Sequence, residues 1–315
     1  MVPEFVKRIL ENVKSVMVAK PEVLELALVA MLCERHILIE DVPGIGKTTL
    51  AKTLAHSLGC SFRRIQCTPD LLPSDITGIH FYNQKNCEFE FRPGPVIANI
   101  ILVDEINRAT PRTQSSLLEC MEERQVTVDG VTMSLPQPFM VIATQNPVEL
   151  QGTFPLPEAQ LDRFLLKLVL GYPDLEDEDV MLLRFERSNP LEQLSAVTSA
   201  AELMEISRQV QEIYVESSVR RYILEVVGKT RTNPSIALGG SPRASLSLYR
   251  ASQALALIQG RDFVLPDDVK RLAVPVLVHR LILSTEAYLH NTSKEELIAD
   301  ILSTLPVPAE EQSTG

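Results

Sequence analysis

The stretch Asp41–Leu50, DVPGIGKTTL, sits between a strand-like run, His36–Glu40 (HILIE), and an apolar-periodic segment from Lys47 to about Leu58. Strand, glycine-containing turn and helix in that order are the local plan of a phosphate-binding loop. Gly44 and Gly46 can take φ values closed to other residues, so successive backbone N–H groups can turn inward toward phosphate oxygens. The helix beginning at Lys47 adds the partial positive charge of its N-terminus at the same spot. Within Pro43, Gly44, Ile45, Gly46, Lys47, Thr48 and Thr49, Lys47 is placed to reach the β- and γ-phosphates. The Thr48 hydroxyl is placed to complete the coordination of Mg²⁺. One position departs from the pattern G-x-x-x-x-G-K-[ST], because Asp41 stands where the first glycine belongs. A carboxylate cannot belong to an anion cradle, so this one must point away or bond elsewhere.

A second stretch, Ile100–Asn107 (IILVDEIN), completes the reading. The four apolar residues Ile100–Val103 are the pattern of a buried parallel strand. That strand carries Asp104 and Glu105 to its carboxyl end, where ligands sit in open α/β sheets. Adjacent carboxylates at such a place divide the work. Asp104 joins the metal shell, and Glu105 orients and deprotonates an attacking water. A solvated acidic turn is the plain alternative, and the upstream loop argues against it.

Working outward, helices are expected over Val6–Val18 and Pro21–Glu34, with Pro21 suited to a helix start. Strands are expected at Phe62–Gln66, Phe139–Thr144 and Leu165–Leu170, with a helix over Thr113–Glu123. Alternation of this kind gives an α/β fold with a mostly parallel five-stranded sheet covered on both faces. Two insertions interrupt it. His80–Pro95 contains the alternating Phe89-Glu90-Phe91, one short strand of a hairpin, and Gln125–Leu135 alternates either side of Asp129-Gly130. The sheet itself needs neither hairpin, so both are candidate contact surfaces.

After Gly171-Tyr172-Pro173, the acidic Asp174–Asp179 opens a connecting helix to about Arg187, broken at Ser188-Asn189-Pro190. From Ser199 to Ser303 the pattern is nearly all helix, with breaks at Pro234, Gly239-Gly240 and Pro266. The expected division is therefore an α/β unit over 1–187, an all-α unit over 188–305, and a disordered Pro/Glu/Ser-rich tail over 306–315. No internal repeat is visible.

The net charge of −11 argues against a broad nucleic-acid footprint, and the absence of Trp removes a stacking platform for single strands. Cys33, Cys60, Cys67, Cys87 and Cys120 are odd in number and lack metal-ligand spacing, which fits a reducing compartment. The longest apolar stretch, Val23–Cys33, is interrupted by Glu25 and falls short of the roughly 20 residues a membrane span needs. No basic-then-apolar leader opens the chain, so a cytoplasmic location is expected.

Three further residues are candidates. Asn146, in ATQNP, lies at the tip of the strand beside that of Asp104, where an amide can hold water or the γ-phosphate. A simple Asn-Pro turn is the alternative there. Arg163, in PEAQLDRF, is either a salt-bridge partner or, in a ring of subunits, an arginine finger reaching a neighbour's γ-phosphate. In GGSPRASL, Ser241 reads as an N-cap with Pro242 at the first helical position, which puts Arg243 in the first turn. A cation there opposes the helix dipole and calls for an anionic partner; a nucleotide phosphate qualifies.

From about Phe5 to Leu305 the chain resembles the MoxR-type AAA+ ATPases. The resemblance rests on EDVPGIGKT, FRPGPVIANIILVDEINRATPRTQSSLLECMEERQVTVDG, IATQNPVELQGTFPLPEAQLDRF and GGSPRA. It implies a Walker A loop at Pro43–Thr49, a Walker B strand ending in Asp104 and Glu105, sensor 1 at Asn146, the arginine finger at Arg163 and sensor 2 at Arg243. It further implies a P-loop AAA+ core followed by a displaced helical lid, ATP and Mg²⁺ as cofactors, and a hexameric ring. Chaperone-like remodelling or maturation of protein clients is implied too, with a von Willebrand factor A domain protein as partner. A nucleotide-switched assembly scaffold and a chelatase-like subunit for metal insertion are the alternative readings; a helicase is disfavoured by the acidic balance. Such proteins often carry a Val-Gly-Gln-type stretch near adenine. This chain has Val18-Ala19-Lys20, which leaves the base contacts open, as it leaves open whether Arg243 serves its own site or a neighbour's.

Overall fold

The computed structural model describes residues 2–147, 152–186 and 189–308. Two helices come first, α1 (Val2–Val16) and α2 (Pro21–Leu32), and α2 has Pro21 in its first turn, as its sequence predicts. The strand β1 (His36–Glu40) and helix α3 (Lys47–Ser57) flank the glycine loop, and β2 (Phe62–Gln66) follows. A short helix α4 (Pro73–Thr77) leads into the antiparallel pair β3 (Gly78–Asn83) and β4 (Glu88–Pro93). Next come β5 (Ile100–Asp104), α5 (Pro111–Glu123), the hairpin β6 (Gln125–Val128) and β7 (Val131–Ser134), and β8 (Met140–Gln145). The short α6 (Glu158–Leu161) and β9 (Phe164–Leu168) close the sheet, and α7 (Leu175–Phe185) leaves it.

The five strands lie in the order β2-β5-β8-β1-β9, and all four pairings are parallel. Every crossover therefore returns through a helix or an insertion, and all strand C-termini share one edge. Alternate residues face opposite layers. Ile37, Ile39, Ile100, Leu102 and Ile142 join the layer of α1, α2 and α3. Leu38, Ile101, Val103, Val141 and Ala143 join the layer of α5 and the β6–β7 hairpin. Both faces are dry, which is why these strands read as continuous apolar runs.

The insertion around His80–Pro95 is a full hairpin, because β3 pairs with β4 from Gly78 to Asn83. In the second hairpin Asp129 (φ +50°) and Gly130 (φ +81°) both occupy the left-handed region, the requirement of a tight two-residue turn. His80 Nδ1 lies 2.8 Å from Asp129 Oδ2, joining the two hairpins.

The C-terminal unit is built from α8 (Ala200–Gln209), α9 (Ser217–Thr232), α10 (Pro242–Ile258), α11 (Pro266–Leu277), α12 (Thr285–Leu289) and α13 (Lys294–Thr304). To the expected helices it adds one short antiparallel pair, β10 (Ile236–Leu238) with β11 (Ile282–Leu283), too brief to show a strand period. Pro266 opens α11 rather than interrupting a helix, while Pro275 lies inside it. The unit shares its core with the sheet: Leu248, Ala251 and Leu272 belong to the apolar layer of α1–α3. The expected break at 188 and the tail beyond 308 lie outside the described residues, and 306–308 have no regular structure. Asn189 caps the 3₁₀ turn that follows, accepting from Leu191 N at 3.1 Å.

Candidate nucleotide site

Gly44 and Gly46 both have φ +88°. A Cβ built on Gly44 would meet nothing within 4 Å, so the backbone conformation, not crowding, requires glycine and the space beside it is open. Gly46 is the N-cap of α3 and supplies no side-chain cap, which leaves the first N–H groups of α3 directed at that space.

Asp41 resolves the departure from the loop pattern. Its Oδ2 accepts from Leu170 N and Gly171 N, both at 2.8 Å, and its Oδ1 from Val42 N at 2.9 Å. The carboxylate is buried and turned from the loop toward the chain leaving β9. It pins that exit to the end of β1 and takes no part in the cradle. Lys47 Nζ donates to the Asp41 carbonyl at 2.7 Å. Partial burial pulls the Lys47 ammonium below its usual range, opposed by the charges of Asp104, Asp41 and Glu105.

At the end of β5 the two carboxylates are held differently. Asp104 Oδ1 accepts from Thr144 Oγ1 at 2.6 Å and Oδ2 from Arg64 Nη2 at 2.6 Å. Glu105 sits at φ +57°, an uncommon conformation for a non-glycine residue that re-aims its side chain away from the strand. Its N–H donates to Thr144 Oγ1 at 2.9 Å, so one hydroxyl on β8 fixes both acids. Glu105 Oε2 accepts from Gln66 Nε2 at 3.0 Å and lies 3.2 Å from Arg108 Nε.

These residues meet in one cavity of about 310 Å³, lined by Gly44, Gly46, Lys47, Thr48, Asp104, Glu105 and Asn146, with Arg64 and Gln66 on its far wall. Among the described residues no group of three or more His, Cys, Asp or Glu side chains could hold a metal alone. Thr48 and Asp104 on the cavity wall are oxygen donors that could hold Mg²⁺ together with substrate phosphates. The second cavity, about 810 Å³, shares Pro43, Gly44 and Gly46 with the first. Its walls include Met17–Lys20, Tyr172, Met181 and Phe185, apolar enough for a base, with Asp174, Asp177 and Glu178 among them. Val18-Ala19-Lys20 thus sits in a nucleotide-sized recess beside the cradle.

Arg163 and Arg243 lie elsewhere. Arg163 immediately precedes β9, at the opposite edge of the sheet, about 16 Å of strand from the loop. Its Nη1 donates to the Leu118 carbonyl at 2.6 Å. Ser241 caps α10, accepting from Arg243 N and Ala244 N, as its sequence predicts. The anion beside Arg243 in this chain is Glu122 of α5, with Nη2 to Oε1 at 2.9 Å, rather than anything in the cradle. Arg163 and Arg243 line one crevice of about 560 Å³ between the sheet unit and the helical unit.

Between them runs a buried link that sequence reading did not anticipate. Arg280 Nε donates to Asp162 Oδ1 at 2.7 Å, and Ser241 Oγ donates to Asp162 Oδ2 at 2.8 Å. Burial brings the Arg280 guanidinium down to about 10, with the bonded Asp162 carboxylate holding it up. Arg64 and Gln66 were missed as well. Their only sequence signal is that they alternate on one face of an otherwise short strand, FRRIQ.

The fold and the loop define a nucleotide-binding ATPase domain with a lid, and the comparisons agree. The model for the ATPase family associated with various cellular activities (AAA) matches residues 36–166, and that for the AAA lid domain matches 228–301. The chain is 41% identical to Chaperone MoxR1 of Mycobacterium tuberculosis over 96% of this chain and 82% of that protein. It is 31% identical to Protein MoxR of Paracoccus denitrificans over 93% and 94%. It superposes on a crystal structure from Cytophaga hutchinsonii described as a candidate ATPase, with TM-score 0.92, 40% identity and coverage of 98% and 96%. The chain belongs to the MoxR family of AAA+ ATPases.

Proposed function

We propose that the chain hydrolyses ATP in sites shared between subunits of a hexameric ring and uses the energy to remodel or mature protein complexes. The observation that carries this reading is the meeting of the glycine loop, Lys47, Thr48, both carboxylates and Asn146 in one cavity. Pro43–Thr49 cradles the triphosphate, with Lys47 on the β- and γ-phosphates and the α3 N-terminus facing them. Thr48 and Asp104 are the protein ligands suited to Mg²⁺, which when bound neutralises charge on the β- and γ-oxygens. Glu105, held here by Gln66 and Arg108, turns from them to take the proton of the attacking water, and Asn146 orients that water. Arg163 and Arg243 act on the γ-phosphate of the neighbouring subunit, since neither lines the cavity of its own.

The Asp41 substitution gives no support to a scaffold that has lost hydrolysis, because its carboxylate is satisfied by three backbone N–H groups outside the cradle. The name of the M. tuberculosis relative, a chaperone, favours protein clients. A von Willebrand factor A domain partner, a cytoplasmic setting and the division near residue 187 belong to the same reading. Among the described residues no helix is long and apolar enough to cross a membrane. The test is phosphate release beside calorimetric titration. The unaltered chain binds and turns over Mg·ATP, whereas Glu105→Gln binds with similar affinity and loses about a hundredfold or more of its turnover. Unchanged turnover in that variant removes the assigned base.

A further inference from the structure

The connecting helix α7 is unusual in having no buried residue. One of its faces, Asp177, Glu178, Met181 and Phe185, lines the 810 Å³ cavity. The other carries Leu175, Asp179, Leu182, Leu183 and Glu186, spaced i, i+4, i+7, i+8 and i+11 along one stripe. Leu175 is 84% exposed, Leu182 70% and Leu183 63%. Nothing among the described residues covers them, and an amphipathic helix with its apolar stripe in water marks an interaction surface. Five acids crowd the same end: Asp174, Glu176, Asp177, Glu178 and Asp179.

The opposite edge of the molecule shows the complementary chemistry. The crevice that holds Arg163 and Arg243 is also lined by Arg35, Arg124 and Arg250, against Glu34, Glu122 and Asp162. Five arginines in one crevice are notable in a chain whose net charge is −11. Ser207, nine-tenths buried on the same wall, has no hydrogen-bond partner for its Oγ. Leu246 at the crevice is 66% exposed. A stripe of three exposed leucines interleaved with Asp179 and Glu186 faces outward at one end of the molecule, and an arginine-lined crevice with an exposed leucine lies at the other.

We propose that the outer face of α7 in one copy docks into the arginine crevice of the next copy, with Glu176 and Asp179 toward Arg35 and Arg250. This rests on the shared-site reading above. A neighbour that brings Arg163 to a nucleotide also brings its crevice alongside α7, because α7 walls the adjoining cavity. The contact is heterologous, one surface meeting a different one, so it propagates head to tail and can close a ring. Because α7 also walls the nucleotide recess, docking firms that wall at the moment the arginines arrive.

The test is sedimentation velocity of the full chain with Mg·ATP over a range of concentrations, all proteins carrying Glu105→Gln to keep the nucleotide intact. Two further double variants are compared, Glu176→Arg with Asp179→Arg, and Arg35→Glu with Arg250→Glu. Each alone needs about tenfold or more higher concentration to assemble, since like charges then face each other. An equimolar mixture of the two assembles close to the parent, because reversed α7 meets reversed crevice and native meets native. Calorimetry shows each variant binding ATP as the parent does, which excludes misfolding. Assembly of either variant like the parent, or failure of the mixture to recover, overturns the docking. A parent that binds ATP but stays monomeric overturns the docking and the shared site together, leaving the pocket intact. A parent that binds no ATP overturns the nucleotide reading itself.

Discussion

On the proposed reading, the two edges of the sheet carry two halves of one chemistry. At the strand C-termini the glycine loop, Lys47, Asp104, Glu105 and Asn146 are gathered into a single cavity. At the N-terminal edge are Arg163 and Arg243, side by side in a crevice, one on a loop before β9 and one on the lid. Within one subunit the length of a strand separates the two halves. On the proposed reading the first edge binds and the second is presented, so catalysis depends on assembly and the lid serves the next subunit's site.

The largest effect expected from breaking this division is on turnover. Arg163→Ala lowers it by about a thousandfold or more, within the range of arginine fingers, while calorimetric ATP affinity of the isolated chain stays unchanged. A parallel loss of affinity would place Arg163 at its own nucleotide.

Stability effects come next. Arg280 is 4% exposed and holds Asp162, which in turn bonds the cap of the helix bearing Arg243. Arg280→Ala leaves a partly buried carboxylate without its charge partner and costs about 3–5 kcal/mol in denaturant unfolding. Little change there would mean that the arginine edge is not held by this link.

His36 begins β1 at the same edge and is fully enclosed, accepting from Val141 N through Nδ1 at 3.0 Å with Nε2 3.0 Å from the Met121 carbonyl. Burial lowers its pKa to about 4, against 6.5 when free. The unfolded chain therefore takes up a proton near pH 6.5 that the folded chain refuses until about pH 4. Stability from this group is unaffected above pH 7 and falls as pH drops through that window, by up to about 3 kcal/mol. Buried His279 is shifted the same way and adds to the slope. Unfolding midpoints measured from pH 7.5 to 5 test this, and His36→Gln should flatten the curve.

The smallest effect is at the opposite end of β1. Asp41→Gly completes the phosphate-loop pattern, yet it strips the acceptor from Leu170 N and Gly171 N and lowers stability by about 1–3 kcal/mol. Turnover does not rise. A gain in both would mean that the carboxylate had been obstructing the cradle.

The contrast between the edges also explains what was legible in the sequence. Strands buried on both faces read plainly, and β1 and β5 fall within a residue of expectation, because continuous apolar runs leave little choice of register. That the glycine loop, Asp104, Glu105 and Asn146 come together at strand C-termini was legible because each lies at or just beyond the end of its own apolar strand, β1, β5 or β8. The partners of the arginine edge were not, since they are joined by contacts between residues far apart in sequence: Glu122 as the anion at Arg243, Arg280 on Asp162. The hold of Gln66 on Glu105 escaped for the same reason, as did the satisfaction of Asp41 by a backbone segment 130 residues on. In the hairpins, β3 escaped because Ile79-His80-Phe81-Tyr82 shows no clean alternation of apolar and polar residues.

The most direct test mixes Glu105→Gln with Arg163→Ala, each inactive alone, and follows phosphate release against mixing ratio. Activity that reappears in the mixture is predicted, because an Arg163→Ala subunit with an intact base then receives the arginine of its neighbour. Silence at every ratio, with assembly confirmed by sedimentation, contradicts the claim that one active site is made from two subunits.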